Sequence, residues 1–198
     1  MIEISRDGGF YRVVVKEECR ARRETVYDVL ADLRTHMEWG GSWHTSKTQR
    51  LQSMDAPEGP ATVGMEFRSI GTTSAGSWHD RSRVTEASRP SLFEFVTTGA
   101  LRDEHGQDRM SLVATHRYEL RDSDPTLVIY TLTAQMELLT SPSDQHRRLP
   151  AVIFNLVVPS VIERGIRNLV RMAEERTGLI PATAADEVAE PAASGEGG

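Results

Sequence analysis

At 198 residues the chain fits one domain, and a domain of this size buries roughly 70% of the surface its unfolded chain exposes, enough for a core with a cavity inside it. Its 29 acidic and 23 basic side chains leave a net charge of -6, without the basic excess that nucleic-acid phosphates select, so DNA and RNA are not expected partners. The single cysteine, Cys19, permits no internal disulfide and fits no zinc-ligand spacing, and MIEISRDGGFYR lacks the basic region and apolar run of a signal peptide. The expectation is a soluble, cytoplasmic protein that is not exported and does not engage a membrane.

Phe10 to Glu17, rich in Val and Tyr, reads as a first strand. Ala21 to Leu33 changes to a helical period, with Val26, Val29, Leu30 and Leu33 recurring along one face. A further helical turn is predicted over Arg34 to Glu38. Trp39-Gly40-Gly41-Ser42-Trp43 places two indoles about a glycine pair, a composition suited to a tight bend between bulky side chains. Six more strands are predicted: His44 to Leu51, Val63 to Ile70, Trp78 to Glu86, Leu92 to Thr98, Ser111 to Arg121 and Thr126 to Leu139. Between them lie the turn compositions of Asp55 to Pro60, Gly71 to Ser77, Arg89-Pro90 and Asp122 to Pro125, and a charged loop over 99–109.

Pro150 to Val158 is apolar nearly all round and reads as helical. Proline suits the first turn of a helix and not its interior, so Pro159 predicts a break there, with the preceding segment free to act as a lid. Ser160 to Arg176 is strongly amphipathic: Ile162, Ile166, Leu169, Val170 and Ala173 form an apolar stripe, and the charged residues take the other faces. Such a stripe must be buried, and one face of the sheet is the natural partner. Gly178 and Pro181 end the helix, and the Ala, Pro, Gly and acid of 179–198 predict a disordered tail behind a single domain spanning 1–178.

A strand, short helices, six antiparallel strands and a long terminal helix form the element order of an α+β helix-grip fold, seven strands around one helix. The chain resembles the SRPBCC or START-like superfamily, in its polyketide cyclase/dehydrase-like branch. Five stretches carry the resemblance: Glu24 to Leu33 with Trp39 beyond it, Val63 to Phe67, Trp78 to Glu86, Arg117 to Leu120, and the final helix. It covers roughly residues 10–177 and rests on fold patterns, with no catalytic signature. The resemblance implies a cavity between helix and sheet that holds a hydrophobic or aromatic small molecule.

Strand alternation selects the side chains that would face such a cavity. With Val84 inward, Ser82, Asp80 and Trp78 share its face; with Leu120 inward, so do Tyr118 and His116; the apolar set of the last strand includes Tyr130, and Phe67 faces inward on the second sheet stretch. Asp80, His116 and Tyr118 are therefore the candidate catalytic group, a carboxylate, an imidazole and a phenol suited to enolisation or dehydration of a carbonyl substrate. Trp39, Phe67, Trp78, Tyr130, Gly165 and Ile166 are the candidate ligand contacts. Gly165 interrupts a helix at a cost of about 1 kcal/mol, which makes room for a ligand or for a close strand. His36, His44, His79, His105 and His146 share no metal-ligand spacing, so no metal is predicted, and no cofactor is expected. Three readings follow: a small-molecule binder, a cofactor-free cyclase or dehydratase using Asp80 and His116 as acid and base, and an interaction module with a vestigial cavity. A homodimer through a sheet edge or the apolar 151–158 segment stays open.

Overall fold

The computed structural model describes residues 1–7, 9–40, 49–73, 76–139 and 158–181. Eight strands, all paired antiparallel, form one sheet: β1 (Ile2–Asp7), β2 (Phe10–Cys19), β3 (Gln49–Asp55), β4 (Glu66–Thr73), β5 (Gly76–Ser88), β6 (Leu92–Arg102), β7 (Asp108–Arg121) and β8 (Thr126–Leu138). Their spatial order is β1-β2-β8-β7-β6-β5-β4-β3, so β3 through β8 form a meander and β2 closes on β8 from the other end of the chain. Two short helices, α1 (Arg23–Ala31) and α2 (His36–Trp39), are joined by a 3-10 turn at Leu33–Thr35, and α3 (Val158–Arg176) follows the last strand.

The strand count corrects the sequence reading from seven to eight. The missed strand, β1, sits at the sheet edge with five of its six side chains exposed, and its apolar alternation is limited to Ile2 and Ile4, too short a pattern to mark a strand. What holds it is the backbone ladder to β2, in register from Ile2 opposite Val15 to Asp7 opposite Phe10. The predicted loop at 99–109 is mostly ladder as well. β6 continues to Arg102 and β7 begins at Asp108, leaving a short tip in which the Asp103 carboxylate accepts from the backbone N–H of His105 and of Gln107. Likewise β4 runs to Thr73 and β5 starts at Gly76, shortening the predicted 71–77 loop. Gly71 belongs to the strand because the Trp78 indole opposite it occupies the space a Cβ would need. The predicted strand over His44 to Leu51 is observed as β3, later by several residues; Trp43 and 44–48 lie outside the described residues.

The expected apolar stripe of α3 is buried from Ile166 through Ala173, while Ile162 is only partly covered. α3 packs against β2, α1, α2 and the start of β1. Pro159 follows Val158, the first described residue of the helix, and the break expected before it falls on residues outside those described. The proposed lid, apart from Val158, lies outside the described residues. At the other end Gly178 adopts φ +70°, its N–H bonds the Glu175 carbonyl and the Leu179 N–H bonds that of Glu174, the paired closure expected of a glycine stop. Glu174, grouped in sequence with the solvated charges, is instead 9% exposed. Its carboxylate accepts from the backbone N–H of Arg20 at 2.9 Å and from the Arg20 guanidinium at 3.1 and 3.2 Å, tying the end of α3 to the end of β2. The other acids behave as expected, with Arg167 on Glu163 and Arg171 on Glu175 along the exposed face. Among the described residues no helix is long and apolar enough to cross a membrane.

Candidate functional site

The inner face of the sheet is set by register. Val84, Phe95, His116, Leu132 and Val13 stand side by side across β5, β6, β7, β8 and β2; Phe93, Tyr118, Tyr130 and Val15 form the next row on one side. On the other side come Phe67, Ser82, Thr97, Ala114, Ala134 and Tyr11, then Ser69, Asp80, Gly99, Leu112 and Met136. Ser82 and Val84 are buried, so the predicted inward set of β5 is the observed one.

These rows bring His116, Tyr118 and Tyr130 together. His116 Nδ1 and the Tyr130 hydroxyl share a hydrogen bond at 2.8 Å, its donor set by the imidazole tautomer. The His116 ring stacks on Phe95, with centroids 4.5 Å apart and planes 12° from parallel. Tyr118 packs against Tyr130 at 4.7 Å and receives the edge of Trp39 at 6.2 Å. Burial, helped by the nearby His36, lowers the His116 pKa to about 3, so its imidazole is neutral over the physiological range. His116 nevertheless keeps part of its surface accessible. Tyr118 is 4% exposed, and its hydroxyl has no hydrogen-bond partner among the described residues. A buried hydroxyl without a partner costs about 1–3 kcal/mol, so its place in the core calls for an explanation.

Asp80 is not part of that group, which corrects the expected Asp80–His116 dyad. The register sets Asp80 opposite Gly99 and His116 opposite Phe95, on strands separated by β6. Two interstrand steps of about 4.8 Å and four residues of about 3.4 Å put their Cα atoms roughly 17 Å apart. Strand parity, which placed both residues on one face, says nothing about position along it. Asp80 forms a second polar centre. Its carboxyl lies over Gly99, where a Cβ would overlap Oδ1, and Ser69 on β4 offers it a hydroxyl. Burial raises the Asp80 pKa from 3.8 to about 7, with the Ser69 bond opposing the rise.

Of the expected ligand contacts, Trp39 is buried and held by Nε1–H donation to Thr35 Oγ1 at 3.1 Å, and its carbonyl accepts from Asn168 of α3 at 3.2 Å. Phe67 is packed into the core against Phe95 and His36. Trp78 covers Gly71 while remaining partly exposed. Ile166 is fully buried. Gly165 is buried too, yet a Cβ built on it meets no described atom within 4 Å. Close approach to a strand is therefore not what its missing side chain serves. Gly165→Ala should raise folding stability by about 1 kcal/mol through helix propensity, read as a higher urea midpoint. A lower midpoint would mean that the space is already filled.

Sequence reasoning missed three contributors. His36 lies between Trp39 and Phe95, at ring distances of 4.6 and 6.0 Å, with Nε2 at 3.0 Å from the Leu30 carbonyl. Burial holds its pKa down at about 4. Phe95 was read only as strand, and Gly99 was assigned to a loop, although an isolated glycine in a strand flags close approach. Two surface depressions, of about 410 and 420 Å³, lie at Asp55–Pro57 with Glu66–Arg68, and at the start of α1 with the β7–β8 turn. Neither includes His116, Tyr118 or Asp80 among its lining residues.

No family model matches the chain, and no curated protein matches its sequence. Solved structures do match. A protein from Rhodobacter sphaeroides superposes with a TM-score of 0.55 at 14% identity, covering 91% of this chain and 100% of its own. One from Rhizobium leguminosarum gives 0.55 at 12% identity, covering 88% and 99%. A protein of unknown function from Staphylococcus aureus gives 0.56 at 9% identity, covering 85% and 96%. They share its fold. Identity this low establishes the antiparallel sheet with its C-terminal helix, a layout compatible with the helix-grip arrangement, and carries no activity across.

Proposed function

We propose that the protein binds a hydrophobic or aromatic small molecule between the helices and the inner face of the sheet. The carrying observation is the Tyr118 hydroxyl, buried without a hydrogen-bond partner among the described residues, beside the neutral His116–Tyr130 pair. A ligand oxygen or nitrogen reaching that hydroxyl would supply the missing hydrogen bond, while the surrounding aromatic rings bury its apolar body. The space under Gly165 supports the same reading. The resemblance to the SRPBCC or START-like superfamily, whose members use such a cavity, agrees with it by analogy.

A second reading, an enzyme of the cyclase or dehydratase kind, rests on Asp80 alone. Its pKa of about 7 suits proton transfer at neutral pH, whereas the strongly depressed His116 does not. The deciding experiment is native mass spectrometry of the purified protein, with extraction and identification of any co-purifying molecule. The binder reading expects a bound species of a few hundred daltons whose occupancy falls in Tyr118→Phe. A protein that carries nothing and takes up no apolar fluorophore would sink it. Conversion of the identified molecule, abolished in Asp80→Asn with affinity retained, would favour the enzyme.

A further inference from the structure

Among the described residues Asp80 is a largely desolvated, partly exposed acid that no cation neutralises. No Lys, Arg or His forms an ion pair with Asp80 among the described residues. The cations of the same strand project from the other face: Arg81 is exposed and bonds Glu66, and Arg83 alternates with the buried Ser82 and Val84. His79, also on that outer parity, shares a hydrogen bond with Ser77 at 3.2 Å. Around the carboxyl the inner face supplies one hydroxyl from Ser69, the glycine gap at Gly99 and, two residues along β5, the Trp78 indole. Ser82 and Thr97, the next polar side chains, share one hydrogen bond at 2.8 Å and are neutral, so neither brings an opposite charge to the carboxyl. Toward His116 the row between the two polar centres is Ser82, Thr97 and Ala114, all buried and none charged.

A buried carboxylate is stabilised by an opposite charge far more than by a neutral donor, and an aromatic face beside it adds a cation–π contribution. Resting on the small-molecule reading above, we propose that the ligand is basic: an apolar or aromatic molecule carrying an amine. Its ammonium pairs with Asp80 near Trp78, and its apolar body lies over Thr97 and Ala114 toward His116 and Tyr118. A carboxylate-bearing ligand is repelled at the same position.

The test uses three matched probes, 6-phenylhexylamine, 6-phenylhexanol and 6-phenylhexanoate, titrated calorimetrically into the full chain at pH 8. The amine should bind at least about tenfold more tightly than the alcohol, and the carboxylate weakest of all. Asp80→Asn, which keeps the side-chain shape, should bring amine and alcohol to within about twofold of each other. Gly99→Ala, whose new methyl displaces the carboxyl, should likewise bring amine and alcohol to within about twofold of each other. Equal affinities for amine and alcohol in the unsubstituted protein overturn the inference and leave the apolar cavity standing. So does an amine preference that survives Asp80→Asn. Binding of none of the three at millimolar concentration overturns the cavity reading itself, and this inference with it.

Discussion

Asp80→Asn should make the ligand-free protein more stable at pH 8, by about 2–4 kcal/mol, with little difference between the two proteins at pH 4. The physical reason is burial, which raises the folded pKa from 3.8 to about 7. A carboxyl whose folded pKa exceeds its unfolded value binds its proton more tightly in the native state. Its contribution is therefore most favourable below about pH 4, declines as pH rises toward 7, and stays at its lowest beyond that. The amide carries no such burden and can still accept from Ser69. Urea denaturation of both proteins across pH 4 to 8 reads the effect directly. A difference independent of pH, or an unsubstituted protein that is the more stable at pH 8, would show that Asp80 has a cationic partner in the fold. A residue that costs this much is explained by what it binds.

Tyr118→Phe should behave in the same sense at the other polar centre. The hydroxyl is buried and has no partner among the described residues, so removing it should stabilise the fold by about 1–3 kcal/mol at constant ring packing. The same change should weaken a ligand that bonds the hydroxyl by about tenfold, the worth of one hydrogen bond. Urea midpoints give the first number and titration of the co-purifying molecule the second. Loss of more than about 1 kcal/mol of stability would reveal a partner for the hydroxyl and remove the main support for the ligand site. Opposite signs for stability and affinity are what separate a binding group from a packing group. A phenol that only filled the core would move neither in the mutant's favour.

The sheet and the terminal helix were legible in the sequence because their signals are local. Alternation in β5 and β7 follows from one face being buried, so parity alone placed Ser82, Val84, Tyr118 and Leu120 inward. The stripe of α3 is a 3.6-residue period that any buried helix must show. Where the local signal was weak the reading failed. β1 is almost wholly exposed and held by ladder bonds, and 99–102 and 108–109 are strand because their neighbours pair with them. Glu174 looked like one more surface acid, since nothing near it in sequence announces Arg20, 154 residues away.

What the sequence determined by itself was the parity of each strand, which put Phe67, Tyr118 and Tyr130 among the buried residues. Which of them meet was decided by register, a property of pairs of strands that no single strand encodes. Register gave His116 to Tyr130 and set Asp80 opposite Gly99, two strands from the imidazole expected to be its partner. Burial then acted on each centre separately, holding the histidine neutral and the carboxyl poised near neutrality, because desolvation depends on everything packed around a group and not on its neighbours in the chain.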